Sequence, residues 1–321
     1  MKRMAYNVES VFIIGAGAIG KALAVFLKLA GRKVVLVRGS VDEAGSQIER
    51  LRVEAAGDTL REASIEVATL NEFSTLNGLV VLATKSYGNQ RLSDLLRDKI
   101  GDSPLVLLQN GLGVERPFLE RGFPQVYRAI LFVTSQCLSE DTVRFRPVAV
   151  SPIGVEKGEV TALSAIVRQL NTPDFGFKSE ENIQPIIWQK AIVNCVFNSV
   201  CPLLEADNGL FHRNEAALEL ARRIIAECTA VARAKGIMIG PDEVEESLLR
   251  ISRSSDGQLI STLQDIRSRR PVEIDTLNFE IVRIARSLGL DNRVRETGLL
   301  GELTGLKAKL VLEMPNQTTR L

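Results

Sequence analysis

Residues 11–20 read Val-Phe-Ile-Ile-Gly-Ala-Gly-Ala-Ile-Gly, an apolar run of strand length passing directly into a GxGxxG pattern. Few folds accommodate that order. A buried strand must stop, turn within two residues and launch a helix whose first turn lies against the strand just left. Gly15 permits the tight turn, Gly17 lets the backbone approach a pyrophosphate, and Gly20 lets helix and strand pack closely. The helix N-terminus then offers unpaired N–H groups to an anion. Gly15, Ala16, Gly17, Ala18, Ile19 and Gly20 are therefore the expected phosphate-binding residues, the alternative being a structural turn that holds no ligand.

The flanking sequence keeps the same rhythm. A helix is expected from Ala18 to Ala30 with Gly31 as its C-terminal cap, then a strand Val34–Val37. Leu79–Ala83 and Leu105–Leu108 have strand length and are separated by a helical stretch, Asn89–Lys99; Gly57-Asp58 is suited to turning a hairpin within residues 41–70. Alternation of this kind implies a parallel sheet with helices on both faces. From Asn182 the period becomes helical, with helices expected over Asn182–Leu204, Glu215–Lys235, Pro241–Ser252 and Asp275–Leu288. The expected plan is an α/β Rossmann-type domain over residues 1–178 and an all-α domain over 179–321. Two domains suit a chain of 321 residues at roughly 150 residues each.

Composition excludes several function classes. Forty basic against thirty-nine acidic residues give a net charge of +1, which leaves no basic excess for a nucleic-acid partner bound by bulk charge. The chain has one histidine, His212, so multi-histidine metal sites and HExxH chemistry are ruled out and no metal is expected. His212 reads as a surface or helix-end residue, and a proton donor would have to be Lys, Glu, Asp or Tyr. Cys137, Cys195, Cys201 and Cys228 form no CxxC pair and stand among apolar neighbours, so all four are expected to be buried thiols in a reducing, cytoplasmic setting. The basic start followed by the run from Val11 imitates a signal peptide, but Lys21 and Lys28 interrupt it. No stretch reads as the roughly 20 apolar residues of a membrane span, and no membrane partner is expected.

The second strand ends Val37-Arg38-Gly39-Ser40, with no carboxylate before Asp42. A site preferring NAD places an acidic residue there for the ribose hydroxyls, whereas Arg38 either clamps a 2′-phosphate or is simply solvated. NADP(H) is the expected cofactor. Lys85 and Asn110 follow two further strands, at the sheet edge where ligands of open α/β sheets bind. Lys85 would meet a phosphate or a substrate carboxylate, and Asn110 a ribose or the nicotinamide; either would otherwise be a plain loop residue.

Lys190, Asn194 and Asn198 recur every four residues in an otherwise apolar helix, drifting by about 40° per step and so sharing one face. Polar groups set into an apolar helix cost several kcal/mol unless satisfied, either by a ligand or by an internal network. Pro202 is expected to bend or end that helix. Downstream lie Ser261-Thr262-Leu263-Gln264-Asp265 and Arg270-Pro271-Val272-Glu273-Ile274-Asp275. Pro271 suits a first helical turn, with Asp275 as a capping carboxylate; Glu273 reads equally as cap or as functional group.

Taken together, GAGAIG at 15–20, NGLG at 110–113, WQKAIVNCVFN at 188–198, STLQD at 261–265 and RPVEID at 270–275 resemble the ketopantoate reductase (2-dehydropantoate 2-reductase) family. The resemblance implies an all-α domain like the C-terminal domain of 6-phosphogluconate dehydrogenase. It also implies NADPH-dependent reduction of a small 2-oxo acid, ketopantoate, in pantothenate and coenzyme A synthesis. Under it Lys190 resembles the catalytic lysine, and Glu273 the glutamate that bonds the substrate hydroxyl and orients the lysine. Asn110, Asn194, Asn198 and Ser261 match substrate-binding positions. Two stretches depart from the family pattern: Asn278 is followed by Phe279, and residues 290–295 read Leu-Asp-Asn-Arg-Val-Arg. Other readings are a reductase of another 2-oxo or 3-oxo acid, or a non-catalytic NADP(H)-binding sensor. Closure of the two domains on the substrate is expected. The oligomeric state is open, a homodimer included, since no exposed heptad stands out.

Overall fold

The structure is a computed structural model and describes residues 10–39 and 45–314. Ser40 and Asp42, and the last seven residues, expected to be frayed, lie outside the described residues. The chain forms two compact units. One comprises residues 1–109 and 114–183, the other 110–113 and 184–321.

The first unit is built on one eleven-stranded sheet. Its strands are β1 (Ser10–Ile14), β2 (Lys33–Arg38), β3 (Gln47–Glu54), β4 (Leu60–Thr69), β5 (Leu79–Leu82), β6 (Leu105–Leu107), β7 (Val126–Ala129), β8 (Val133–Cys137), β9 (Thr142–Pro147), β10 (Ser151–Lys157) and β11 (Phe177–Ser179). They lie in the order β11-β10-β7-β6-β5-β1-β2-β4-β3-β9-β8. The centre, from β7 to β4, is parallel throughout. The β3–β4, β8–β9 and β7–β10 pairs are antiparallel. The sheet is thus mainly parallel rather than wholly so. Gly57, at φ +67°, makes the turn of the β3–β4 hairpin, where the sequence placed it.

Alternation along β1 divides the core between the two faces of the sheet. Val11 and Ile13 pack with α1 (Ala18–Leu29) and α4 (Val160–Leu170). Phe12 and Ile14 point the other way, into a cluster with α2 (Asn89–Ile100) and α3 (Arg116–Glu120). Helix α1 closes as its sequence predicts: Gly31 has φ +76°, its N–H reaches Lys28 O at 3.0 Å, and the Arg32 N–H reaches Leu27 O at 3.0 Å.

The second unit is all helical: α5 (Ile183–Leu204), α6 (Leu210–Arg213), α7 (Glu215–Ala234), α8 (Pro241–Ser254), α9 (Ser261–Arg267), α10 (Asn278–Ser287) and α11 (Arg295–Glu313). Helix α5 is 22 residues long and contains an apolar window with a mean hydropathy of 1.2, so by length and composition alone it is long and apolar enough to cross a membrane, against the sequence reading. It is a core helix: 72% of that apolar window is buried within the protein. Pro202 sits in its last turn, and the helix ends two residues later. The Glu227 carboxylate of α7 takes the first N–H groups of α11, accepting from Glu296 N (3.0 Å), Thr297 N (2.8 Å) and Thr297 Oγ1 (2.7 Å).

Two local expectations need correction. The helix expected from Asp275 starts at Asn278, because Ile274–Thr276 forms a separate 3₁₀ turn and Leu277, at φ −114° and ψ −103°, breaks the run. Pro271 accordingly lies in irregular chain and Asp275 caps no α-helix. Cys137 is exposed rather than buried, since it ends β8 at the outer edge of the sheet, whereas Cys195, Cys201 and Cys228 are buried.

Candidate functional site

In the sheet unit the candidate site is made of backbone. The tips of three strands meet at Gly15: its N–H donates to Val37 O at 2.8 Å, and Ala83 N donates to Ile14 O at 2.8 Å. Gly15 has φ +119°, and a Cβ there would lie 2.7 Å from Thr84 N. A Cβ on Gly20 would stand 1.9 Å from Gly15 O, so only glycine lets α1 lie this close to the turn. Gly17 differs from both. It is the N-cap of α1, it is exposed, and a Cβ there would meet nothing within 4 Å. Its lack of a side chain serves no internal packing and leaves the approach to the helix N-terminus open. The first turn of α1 carries no acidic residue and no side-chain cap, so Ala18, Ile19 and Gly20 present N–H groups suited to a phosphate. These residues fit a dinucleotide.

Arg38 ends β2 and is neither solvated nor projecting. Its side chain is 17% exposed, and Nη2 donates to Glu49 Oε1 at 2.9 Å, an oxygen that also accepts from Gln47 Nε2 at 2.6 Å. Lys85 is exposed just beyond β5.

Beneath the strand tips lies a buried polar network that sequence reading missed. Asn89 and Gln109 exchange amide hydrogen bonds at 2.8 and 2.7 Å. Asn89 Nδ2 also donates to Val114 O at 2.8 Å, and Gln109 Nε2 to Thr84 Oγ1 at 3.2 Å. Arg128, 1% exposed, donates through Nη1 to Glu115 Oε2 at 2.6 Å and through Nη2 to Gln109 O at 3.4 Å. The network holds residues 109 and 114, the two ends of the Asn110–Gly113 loop. Its signal was present in the sequence as a lone arginine inside the apolar run Val126–Leu131.

The loop itself belongs to the helical unit. Leu112 N donates to Thr276 O at 2.7 Å, and Gly111, at φ +96°, approaches Thr276 so closely that a Cβ would lie 2.4 Å from Thr276 Oγ1. Thr276 in turn bonds Glu273 O through N and Oγ1, both at 3.2 Å. Asn110, exposed, and the segment carrying Glu273 thus share one structural unit, where the sequence had placed Asn110 with the first domain.

In that unit the site is made of side chains. Lys190 and Asn194 are half-buried on one face of α5, among neighbours that are mostly buried. Asn198 is 3% exposed and already engaged. Its Nδ2 donates to Asn194 O at 3.0 Å, and its Oδ1 accepts from Thr262 Oγ1 at 2.7 Å and from Thr262 N and Ser261 Oγ at 3.4 Å. Asn198 therefore ties α5 to the start of α9 and fixes the exposed Ser261. Asp265 and Arg270 join the two downstream motifs, with Nε–Oδ1 at 3.0 Å and Nη2–Oδ1 at 2.9 Å. Glu273, half-buried, opens the 3₁₀ turn.

Both family departures concern α10 and α11. The Phe279 ring lies over two glycines of α11: a Cβ on Gly301 would be 3.2 Å from Phe279 Cε1 and one on Gly305 3.7 Å from Cε2. Asp291–Arg293 is a 3₁₀ turn between those helices.

His212 forms a Ser-His-Asp arrangement without access. Nδ1 lies 3.0 Å from Ser252 Oγ and Nε2 3.8 Å from Asp256 Oδ2. Ser252 is fully buried and donates to Asn208 O at 2.7 Å, so its hydroxyl is a structural node at the end of α6.

Comparison with known proteins gives one consistent result. Residues 11–150 match the family model described as "Ketopantoate reductase PanE/ApbA", and residues 182–298 match "Ketopantoate reductase PanE/ApbA C terminal". The 2-dehydropantoate 2-reductase of Pyrococcus horikoshii is 30% identical over 292 residues, and that of Pyrococcus abyssi 28% over 283; each alignment spans 88% of this chain and 92% of the relative. Among solved structures, a PanE/ApbA family ketopantoate reductase from Ralstonia eutropha superposes with a TM-score of 0.78 at 24% identity, over 94% of this chain and 99% of the other. A D-mandelate dehydrogenase bound to NADH and anilino(oxo)acetate does so with a TM-score of 0.80 at 22% identity and the same coverage.

Proposed function

The chain belongs to the ketopantoate reductase family, and from that premise we propose that it reduces ketopantoate to pantoate with NADPH. The observation that carries the proposal is the polar face of α5: Lys190 and Asn194 stand half-buried on a core helix, and Asn198 secures Ser261 beside them in the bonding pattern. A sensor that only bound a dinucleotide would have no use for that face.

Gly15, Ala16, Gly17, Ala18, Ile19 and Gly20 hold the pyrophosphate, with Arg38 and Lys85 at the neighbouring strand ends. When bound, the cofactor supplies hydride to the ketone carbon. Lys190 donates a hydrogen bond to the ketone oxygen, stabilises the charge growing there and delivers the proton that completes the hydroxyl. Glu273 accepts from the substrate hydroxyl and orients the lysine. Ser261 and Asn194 hold the substrate, its carboxylate on the Ser261 hydroxyl, and Asn198 acts by fixing Ser261. Asn110 lies between substrate and nicotinamide. Arg38 at the end of β2 supports NADPH over NADH, and a 2′-phosphate there competes with the Glu49 carboxylate for the guanidinium.

A second reading, a reductase of another 2-oxo acid, is favoured by the likeness to a D-mandelate dehydrogenase. Against it, the Phe279 departure is met by Gly301 and Gly305 within α10–α11 packing. The test is loss of nicotinamide absorbance with ketopantoate and with a panel of 2-oxo acids, each with NADPH and NADH. The proposal requires ketopantoate with NADPH to give the highest kcat/KM; a bulkier or aromatic 2-oxo acid in first place would transfer the function to the second reading.

A further inference from the structure

The buried pair Asn89 and Gln109 is closed on itself. The two residues are 3% and 4% exposed, and each amide nitrogen meets two acceptors inside the protein. Asn89 Nδ2 donates to Gln109 Oε1 and Val114 O; Gln109 Nε2 donates to Asn89 Oδ1 and Thr84 Oγ1. No amide N–H is left for a ligand. Stability does not demand the pair either, because two apolar side chains of the same shape would replace two mutually bonded amides at little net cost. What the amides add is direction, since a fully satisfied buried network holds one arrangement.

Three points are held by it. Thr84 stands against the glycine turn, with its N 2.7 Å from the place of a Cβ on Gly15 and its Cγ2 3.0 Å from that of a Cβ on Gly39. Val114 O closes one end of the Asn110–Gly113 loop. Gln109 holds the other end twice, by its side chain on Asn89 and by its carbonyl, which accepts from Arg128 Nη2 at 3.4 Å. That carbonyl lies in the same rigid peptide plane as the Asn110 N–H, so pinning it sets the plane from which Asn110 leaves the sheet. We propose that Gln109 is a positioning residue of the reaction. Through its closed pair with Asn89 it aims Asn110 at the reacting atoms, and it touches neither substrate nor cofactor itself. The inference rests on the reading of Asn110 as lying between substrate and nicotinamide. An apolar residue at 109 would keep the strand but free the peptide plane, and a shift of about 1 Å at a reacting group costs on the order of 10²-fold in rate.

The test is a set of variants of the full chain, assayed with NADPH on whichever 2-oxo acid the wild type reduces best. Gln109→Met should lower kcat by about 10²-fold and leave the Kd for NADPH within about threefold. Asn89→Leu/Gln109→Met makes both partners apolar, so it should melt higher than Gln109→Met while kcat stays as low. This paired variant stands by itself if Gln109→Met does not fold. In an Asn110→Ala background, Gln109→Met should change kcat by less than about twofold, because its effect passes through Asn110. Recovery of kcat along with melting temperature in the paired variant overturns the proposal and leaves the amides a packing role. Full additivity with Asn110→Ala overturns it as well. A wild type that reduces no 2-oxo acid, or an Asn110→Ala variant with undiminished kcat, overturns the functional reading first and this inference with it.

Discussion

Under the proposed function, the glycine turn of the sheet unit and the polar face of α5 solve the same problem, holding a ligand on an apolar scaffold, with opposite materials. At the turn the working parts are N–H groups, and what matters is where side chains are missing: Gly15 and Gly20 lack them so that the backbone can close on itself, Gly17 so that the helix end stays open. On α5 the backbone is spent on its own helix and the working parts are side chains, Lys190 and Asn194, with Asn198 as a brace. Damage to the first region should therefore mix folding with function. Damage to the second should separate them.

The sharpest break of that contrast is a methyl group at two glycines three residues apart. Gly20→Ala places a carbon against Gly15 O and should cost more than about 3 kcal/mol, seen as a large fall in melting temperature. Gly17→Ala meets nothing and should melt like the wild type, yet bind the dinucleotide at least about tenfold more weakly by titration. Equal losses of stability in the two variants would refute the division of labour. Next in size is Glu115→Ala, which removes a carboxylate from the buried Arg128; a cost of about 3–5 kcal/mol is expected in denaturant unfolding, and a loss below about 1 kcal/mol would show the network to be dispensable.

Cofactor choice sharpens the comparison further, since on the backbone-built side Arg38 is the side chain proposed to read the 2′-phosphate. Arg38→Ala should raise KM for NADPH by about tenfold and leave KM for NADH unchanged, whereas Glu49→Gln should lower KM for NADPH. Parallel changes for both dinucleotides would remove Arg38 from the reading of the 2′-phosphate. The smallest effect concerns the thiols. Burial and the nearby Asp207 carboxylate push Cys201 up to about 12, and burial raises Cys195 as well. Cys137 alone should react with a thiol reagent in the native protein at neutral pH, and the other three only after unfolding.

Legibility followed the range of the signal. The β1–turn–α1 unit, the Gly31 cap, the Gly57 turn and both ends of α5 depend on residues close in sequence, and they lie in the structure within a residue or two of where the sequence puts them. What escaped depends on distant partners. Asn110–Gly113 joins the helical unit through Thr276, far along the chain, and nothing within NGLG says so. Asn198 also braces the start of α9 through Thr262 and Ser261, contacts that the four-residue spacing on α5 does not reveal. Helix α11 carries apolar residues on both sides, which blurs the single-faced pattern by which helices are recognised. Cys137 stands among Ser135, Gln136 and Ser139, polar company that fits its place on the outermost strand.

Lys190→Ala, assayed for turnover and for NADPH affinity on the same preparation, tests the central claim most directly. The account predicts that kcat for ketopantoate falls by about 10²–10⁴ while NADPH affinity and melting temperature stay at wild-type values. Retained turnover, or turnover lost only in step with NADPH binding, would contradict it.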